Sequence, residues 1–105
     1  MLSNKANITK EISMKTLIVS RHQATIDWLK SQGVTGEVVN HVTETDCEGA
    51  VIYGNVPLHL AALANIVHMV QIPNLPAEKR GKDLTQEEIV SYGVKLQSFK
   101  VSEVE

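Results

Sequence analysis

Between Val19 and Gln23 the chain changes its hydrophobic period. Thr16 to Val19 (Thr-Leu-Ile-Val) is an unbroken apolar run suited to a buried strand. Ser20, Arg21 and His22 then arrive together. From about Gln23 to Gln32 the apolar residues recur at helical spacing, with Ile26 and Leu29 on one side and Ala24 and Trp28 nearby. Gly33 follows the last periodic residue and fits a helix stop. A first strand, over Thr16 to Ser20, thus feeds directly into a helix. Its carboxyl end offers a hydroxyl, a guanidinium and an imidazole beside a helix N-terminus, where free backbone N–H groups favour anions. Taken alone, these three residues read more readily as an ordinary polar βα junction facing water.

The rest of the chain repeats the strand-then-helix pattern. Glu37 to Val42 reads as a second strand, and Thr43 to Gly49 as an acidic, solvated loop. Glu44, Asp46 and Glu48 alternate there without the ligand spacing of a metal site, and these acids are expected to raise the pKa of Cys47. Ala50 to Tyr53 is a strongly apolar strand ended by Gly54-Asn55-Val56-Pro57. A helix is expected over Leu58 to Ala64, with Pro57 suited to its first turn and Asn55 to its cap. Ile66 to Ile72 reads as a further strand, and Pro73-Asn74-Leu75-Pro76 breaks it. The loop from Ala77 to Asp83 carries Lys79, Arg80 and Lys82, the one concentrated positive patch. Thr85-Gln86-Glu87-Glu88 spells a capping box, and Leu84 with Ile89 a hydrophobic staple, for a last helix reaching about Tyr92. A final, edge-type strand is expected between Val94 and Val104.

This order predicts an α/β fold: a Rossmann-like, mainly parallel sheet flanked by helices in a single small domain over residues 14–105. Residues 1–13 are polar and read as a flexible N-terminal arm. With one Trp, two Tyr and one Phe in 105 residues, the core must be Val, Ile, Leu and Ala. A net charge of -2 argues against long nucleic acid as a partner, while leaving room for a small anion in one cationic pocket. Cys47 is the single cysteine and no apolar run is long enough to span a bilayer, so no membrane association and a cytoplasmic location are expected. Neither a dinucleotide fingerprint, a P-loop, a zinc motif nor a hydrolase elbow is present. His41 at a strand end and His59 in a helix read as surface residues. In sheets of this type ligands bind beyond the carboxyl ends of the strands, so Ser20-Arg21-His22, Gly54-Asn55 and the segment after Ile72 are expected to share one rim.

Three segments carry a resemblance: Ser20-Arg21-His22 after the first strand, Gly54-Asn55-Val56-Pro57-Leu58-His59-Leu60-Ala61, and Leu75-Pro76-Ala77-Glu78-Lys79-Arg80-Gly81-Lys82-Asp83-Leu84. In this order, from about Met14 to Val101, the chain resembles a small CRISPR-associated family encoded beside type III systems. The resemblance implies a CARF-like Rossmann domain acting as a ring nuclease on cyclic oligoadenylate, with cyclic tetra-adenylate the favoured ring. It implies a homodimer, and neither metal nor cofactor. Arg21 and His22 are the implied catalytic residues. Arg21 would stabilise the phosphorane, and His22 would act as general acid or base, the division between them left open. Ser20, Gly54, Asn55, Pro57, Lys79, Arg80 and Lys82 are the implied ligand-binding residues. A module that binds and sequesters the messenger without cutting it, or an interaction protein with no nucleotide ligand, uses the same fold.

Overall fold

The computed structural model describes residues 15–104. The arm expected over residues 1–13 lies outside the described residues. In chain order the elements are β1 (Thr16–Val19), α1 (Gln23–Ser31), β2 (Glu37–Val39), α2 (Glu44–Cys47), β3 (Val51–Gly54), α3 (Leu58–Ala61), β4 (Ile66–Gln71), α4 (Gln86–Ser91) and β5 (Lys95–Phe99), with a 3₁₀ turn at Ala77–Lys79. The strands form one five-stranded sheet in the order β2-β1-β3-β4-β5. The first four are parallel, and β5 runs antiparallel to β4.

The sheet divides the core in two because successive strand residues point to opposite faces. Leu17 pairs in register with Ile52, and Ile52 with Val67; all three face one layer with Val42, Cys47, Leu60, Ala61 and Ala64. Ile18 pairs with Tyr53, and these face the other layer, where α1 supplies Ala24, Ile26, Trp28 and Leu29 and α4 supplies Ile89. Helices therefore cover both faces, as a parallel sheet requires. Trp28 is core, as its spacing implies. On the α1/α4 face the Tyr53 ring stacks on His68 at 4.4 Å, and His68 Nδ1 lies 2.7 Å from Ser98 Oγ, a ladder that ties β3, β4 and β5.

Where β5 points follows from where α4 ends. The Asn74 N–H, three residues beyond β4, donates to the Tyr92 carbonyl just past α4. The helix therefore finishes beside the exit of β4 and never returns the chain to the amino ends of the strands. Lys95 then pairs with Gln71, and the last strand must run back along β4. It is an edge strand, as expected.

Three elements differ from their expected form. The second strand stops at Val39 instead of Val42, because Val42 leaves the sheet to be buried under α2. The acidic loop contains a one-turn helix, α2. Thr43 accepts from the Asp46 N–H and the Asp46 carboxylate accepts from the Thr43 N–H, a capping box with Asp in place of Glu. The helix expected over 58–64 is regular only to Ala61, with looser turns through Ala64. Pro57 occupies its N-cap position with extended backbone and no side chain caps it, so Asn55 does not serve as cap. The last helix is as read: Thr85 and Glu88 exchange both bonds of the capping box, and Leu84 and Ile89 lie in one core cluster. No helix among the described residues is long and apolar enough to cross a membrane.

Because Ile18 and Ile52 are fully buried in opposite layers, Ile18→Ala and Ile52→Ala should each lower unfolding free energy by about 2–5 kcal/mol. Val38→Ala, on an exposed edge strand, should stay within about 0.5 kcal/mol. Urea unfolding followed by far-UV circular dichroism measures all three.

Candidate functional site

The sheet order reverses around β1. The chain passes from β1 to β2 on one side, then crosses to β3 on the other. Such a switch point leaves a crevice beyond the strand ends, since the connections depart in opposite directions. A cavity of about 340 Å³ lies there, bounded by the ends of β1, β2, β3 and β4 and the start of α1. Ser20, Arg21 and His22 line it together with Gly54 and Asn55, and Ile72 closes the β4 side. Two of the three segments expected at this rim therefore meet there, while the segment after Ile72 does not line this cavity.

Local chemistry holds this rim in shape. The Ser20 hydroxyl accepts from the His22 backbone N–H at 3.1 Å, a tight turn that ends the strand and starts the helix. The Ser20 N–H donates to the Val39 carbonyl at 3.3 Å, carrying the β1–β2 pairing into the rim. Gly54 has φ +141°, and a Cβ at that position would overlap the Val19 carbonyl oxygen. Glycine lets the ends of β1 and β3 close to backbone contact and keeps the cavity floor free of side chain.

The N-terminus of α1 opens onto this cavity unlike those of α2 and α4. His22 is its N-cap, no side chain caps it and no acid lies in its first turn. Among the described residues its first N–H groups thus have no side-chain capping partner, and the cavity lining includes Arg21 and no carboxylate. At α2 and α4 the same groups are occupied by Thr43 with Asp46 and by Thr85 with Glu88. The backbone N–H of Thr43 holds the Asp46 carboxyl below the usual carboxylate range, and that of Thr85 does the same for Glu88. The rim can therefore bind an anion through one guanidinium and oriented backbone donors.

Two polar residues that the sequence did not single out join the site: Thr25, in the first turn of α1, and Asn40, just past the end of β2. Asn40 was legible by the rule that selected Ser20 and Asn55. Placing the strand end at Val42 hid it as an interior residue. Lys79 and Lys82 line a smaller neighbouring cavity of about 130 Å³. Lys79 is engaged there, with Nζ 3.3 Å from Glu88 Oε2, and this hydrogen bond raises the lysine pKa. Pro57 and Arg80 line neither cavity, and Arg80 is exposed. Cys47 is fully buried, and burial ahead of the neighbouring Asp46 charge pushes its thiol pKa up.

A family model described as "Putative CRISPR-associated protein (Cas_VVA1548)" matches residues 17–102. The chain belongs to this CRISPR-associated family. The match covers all five strands apart from Thr16, and every residue of the rim. No curated protein and no solved structure matches the chain.

In this CRISPR-associated chain the Thr85–Glu88–Lys79 group anchors the loop beside the site and titrates with acid. Since the folded-state pKa of Glu88 is lowered, its contribution to stability is present above the unfolded carboxylate pKa. It is lost as pH falls through the lowered folded-state value. Glu88→Gln should therefore lose less stability than the wild type between neutral pH and the acid side of the carboxylate range. Thermal melts at stepped pH, at fixed and low ionic strength, measure the difference.

Proposed function

We propose that the chain is a metal-independent ring nuclease that opens cyclic oligoadenylate, with cyclic tetra-adenylate as the preferred ring. The observation that carries this reading is the rim cavity. It gathers Arg21, His22 and an uncapped helix start around a space that no carboxylate lines among the described residues, in a chain whose family is CRISPR-associated. Such a space suits a phosphodiester, and a ribonucleotide ring carries its own nucleophile.

The reaction is a transesterification. A ribose 2′-oxygen attacks the adjacent phosphorus, the new P–O2′ bond forms, and the P–O5′ bond opposite it breaks. The 2′-hydroxyl proton passes to a base, and the departing 5′-oxygen takes up a proton. The product is a linear oligoadenylate with a 5′-hydroxyl and a 2′,3′-cyclic phosphate, and no water is consumed. Holding the three reacting atoms in line supplies much of the acceleration. In this reading Arg21 and the first N–H groups of α1 stabilise the charge on the phosphorane. His22 transfers the proton, because imidazole is the side chain that most often serves as general acid or base. Ser20, Asn40 and Asn55 position phosphate and ribose. A two-fold dimer would place one site on each half of a symmetric ring. Cutting the messenger would switch off type III CRISPR signalling.

A second reading, sequestration without cleavage, has one observation in its favour. Among the described residues no group is hydrogen-bonded to the His22 ring, whereas a proton-transfer imidazole is usually held by a partner. The assay separates the two. Cyclic tetra-adenylate incubated with excess protein and EDTA should convert to a linear product with a 2′,3′-cyclic phosphate, resolved by chromatography. Tight binding with an intact ring selects sequestration.

For the nuclease, His22→Ala should lower the single-turnover rate by about 10²–10⁴-fold while weakening binding far less. Arg21→Ala should weaken both, because a guanidinium holds phosphate in the ground state as well as the transition state. Equal losses in rate and affinity for His22→Ala would make it a contact residue only.

A further inference from the structure

We propose that the smaller cavity between α1, the 75–84 loop and α4 is a base-binding subsite. It would hold the flat heterocycle of a nucleotide whose phosphate sits in the rim cavity. This rests on the reading of the rim as a phosphodiester site, and it assigns an occupant to a space that reading leaves unused.

Continuity is the first support. His22, Thr25 and Ile72 line both cavities, so the two spaces meet along one edge of α1. A ligand anchored by phosphate at Arg21 has its sugar and base within reach of that edge. Size is the second. The smaller space measures about 130 Å³. An apolar cavity of about 150 Å³ is enough to take up benzene. The two volumes are of the same scale, which suits one six-membered ring with the remainder of a bicyclic base lying in the shared mouth.

Wall chemistry is the third support. Ala24 from α1, Ile89 from α4, and Leu75 and Leu84 from the loop present aliphatic surface from three separate segments of the chain. Bases taken out of solvent are commonly held between apolar side chains in this way. The polar lining consists of His22 and Thr25 at the shared edge and of Lys79 and Lys82 on the loop side, where the lysines offer donors and no acceptors. A ring edge with unprotonated nitrogens or carbonyl oxygens matches those donors. Glu88 holds Lys79 in place, while Lys82 has no ion-pair partner among the described residues. Gly81 has φ +77°, with nothing within 4 Å of the position a Cβ would take, so the chain turns between the two lysines. Lys79 and Lys82, which the resemblance implies as ligand-binding residues, thus act on the base.

The test compares adenosine 5′-monophosphate with ribose 5-phosphate, using the full chain and amide chemical shifts at ligand concentrations up to the millimolar range. Both probes should shift the His22 and Gly54 amides, and Arg21→Gln should weaken both. Adenosine 5′-monophosphate alone should also shift the Gly81 and Leu84 amides, and should bind about tenfold tighter or more, the scale that burying one face of a base supports. Leu75→Trp, which fills the cavity from a half-buried loop position, should remove most of that tenfold preference. Lys82→Met, a smaller change on the exposed loop, should reduce it without filling space. Equal affinity for the two probes, or a preference that survives both variants, overturns the subsite while leaving the rim reading intact. The absence of any Arg21-dependent binding overturns the rim reading and the subsite together.

Discussion

Parallel pairing of β1 with β3 is the contact on which the rest of this small domain depends. It sets Leu17 beside Ile52 on one face and Ile18 beside Tyr53 on the other, so both hydrophobic layers start from the same two strands. It also brings the Val19 carbonyl and Gly54 together at the carboxyl ends, close enough that only glycine fits. Core and cavity therefore share one origin. With so few aromatic side chains, neither layer has a large anchor to fall back on, and register between these strands must position many small aliphatic contacts at once.

The starts of α1, α2 and α4 show how local chemistry is divided between stability and function. Val42-Thr43-x-x-Asp46-Cys47 and Leu84-Thr85-x-x-Glu88-Ile89 are the same device used twice, a capping box with a core-packed apolar residue on either side. Each satisfies its own donors and neutralises its own dipole end. Helix α1 has neither cap nor acid at its start, and that start is the one facing the rim cavity. Leaving it open costs some helix stability and makes an anion the natural partner of the exposed donors.

The 73–85 loop links the two kinds of site. Its far end is fixed by the α4 capping box and by Lys79 on Glu88, and its near end by the Asn74 bond to Tyr92. Between these points it passes beside α1, placing Leu75 and Lys82 against the edge of the rim. The same path keeps α4 short and makes β5 antiparallel. An element that reads as a surface charge run is thereby both a wall of the site and the cause of the sheet's one reversed strand.

The sequence by itself determined the α/β class, the first βα switch at Ser20, the α4 capping box and the gathering of Ser20, Arg21, His22, Gly54 and Asn55 at one rim. These follow from hydrophobic period, turn chemistry and the rule that strand ends share a side, all of which act over a few residues. It also pointed to a CRISPR-associated family, to which the chain belongs. Helix α2 escaped because Asp46 replaces the usual Glu of a capping box and its turn is too short to show a period. Asn40 escaped because Val42 looks like strand sequence yet is buried under α2 instead of in the sheet. Only the tertiary structure decided which cations reach which cavity, taking Lys79 to Glu88, leaving Lys82 on the smaller space and turning Arg80 away from both. Loop side chains have no period to betray their direction; that is fixed by packing against helices far away in the chain.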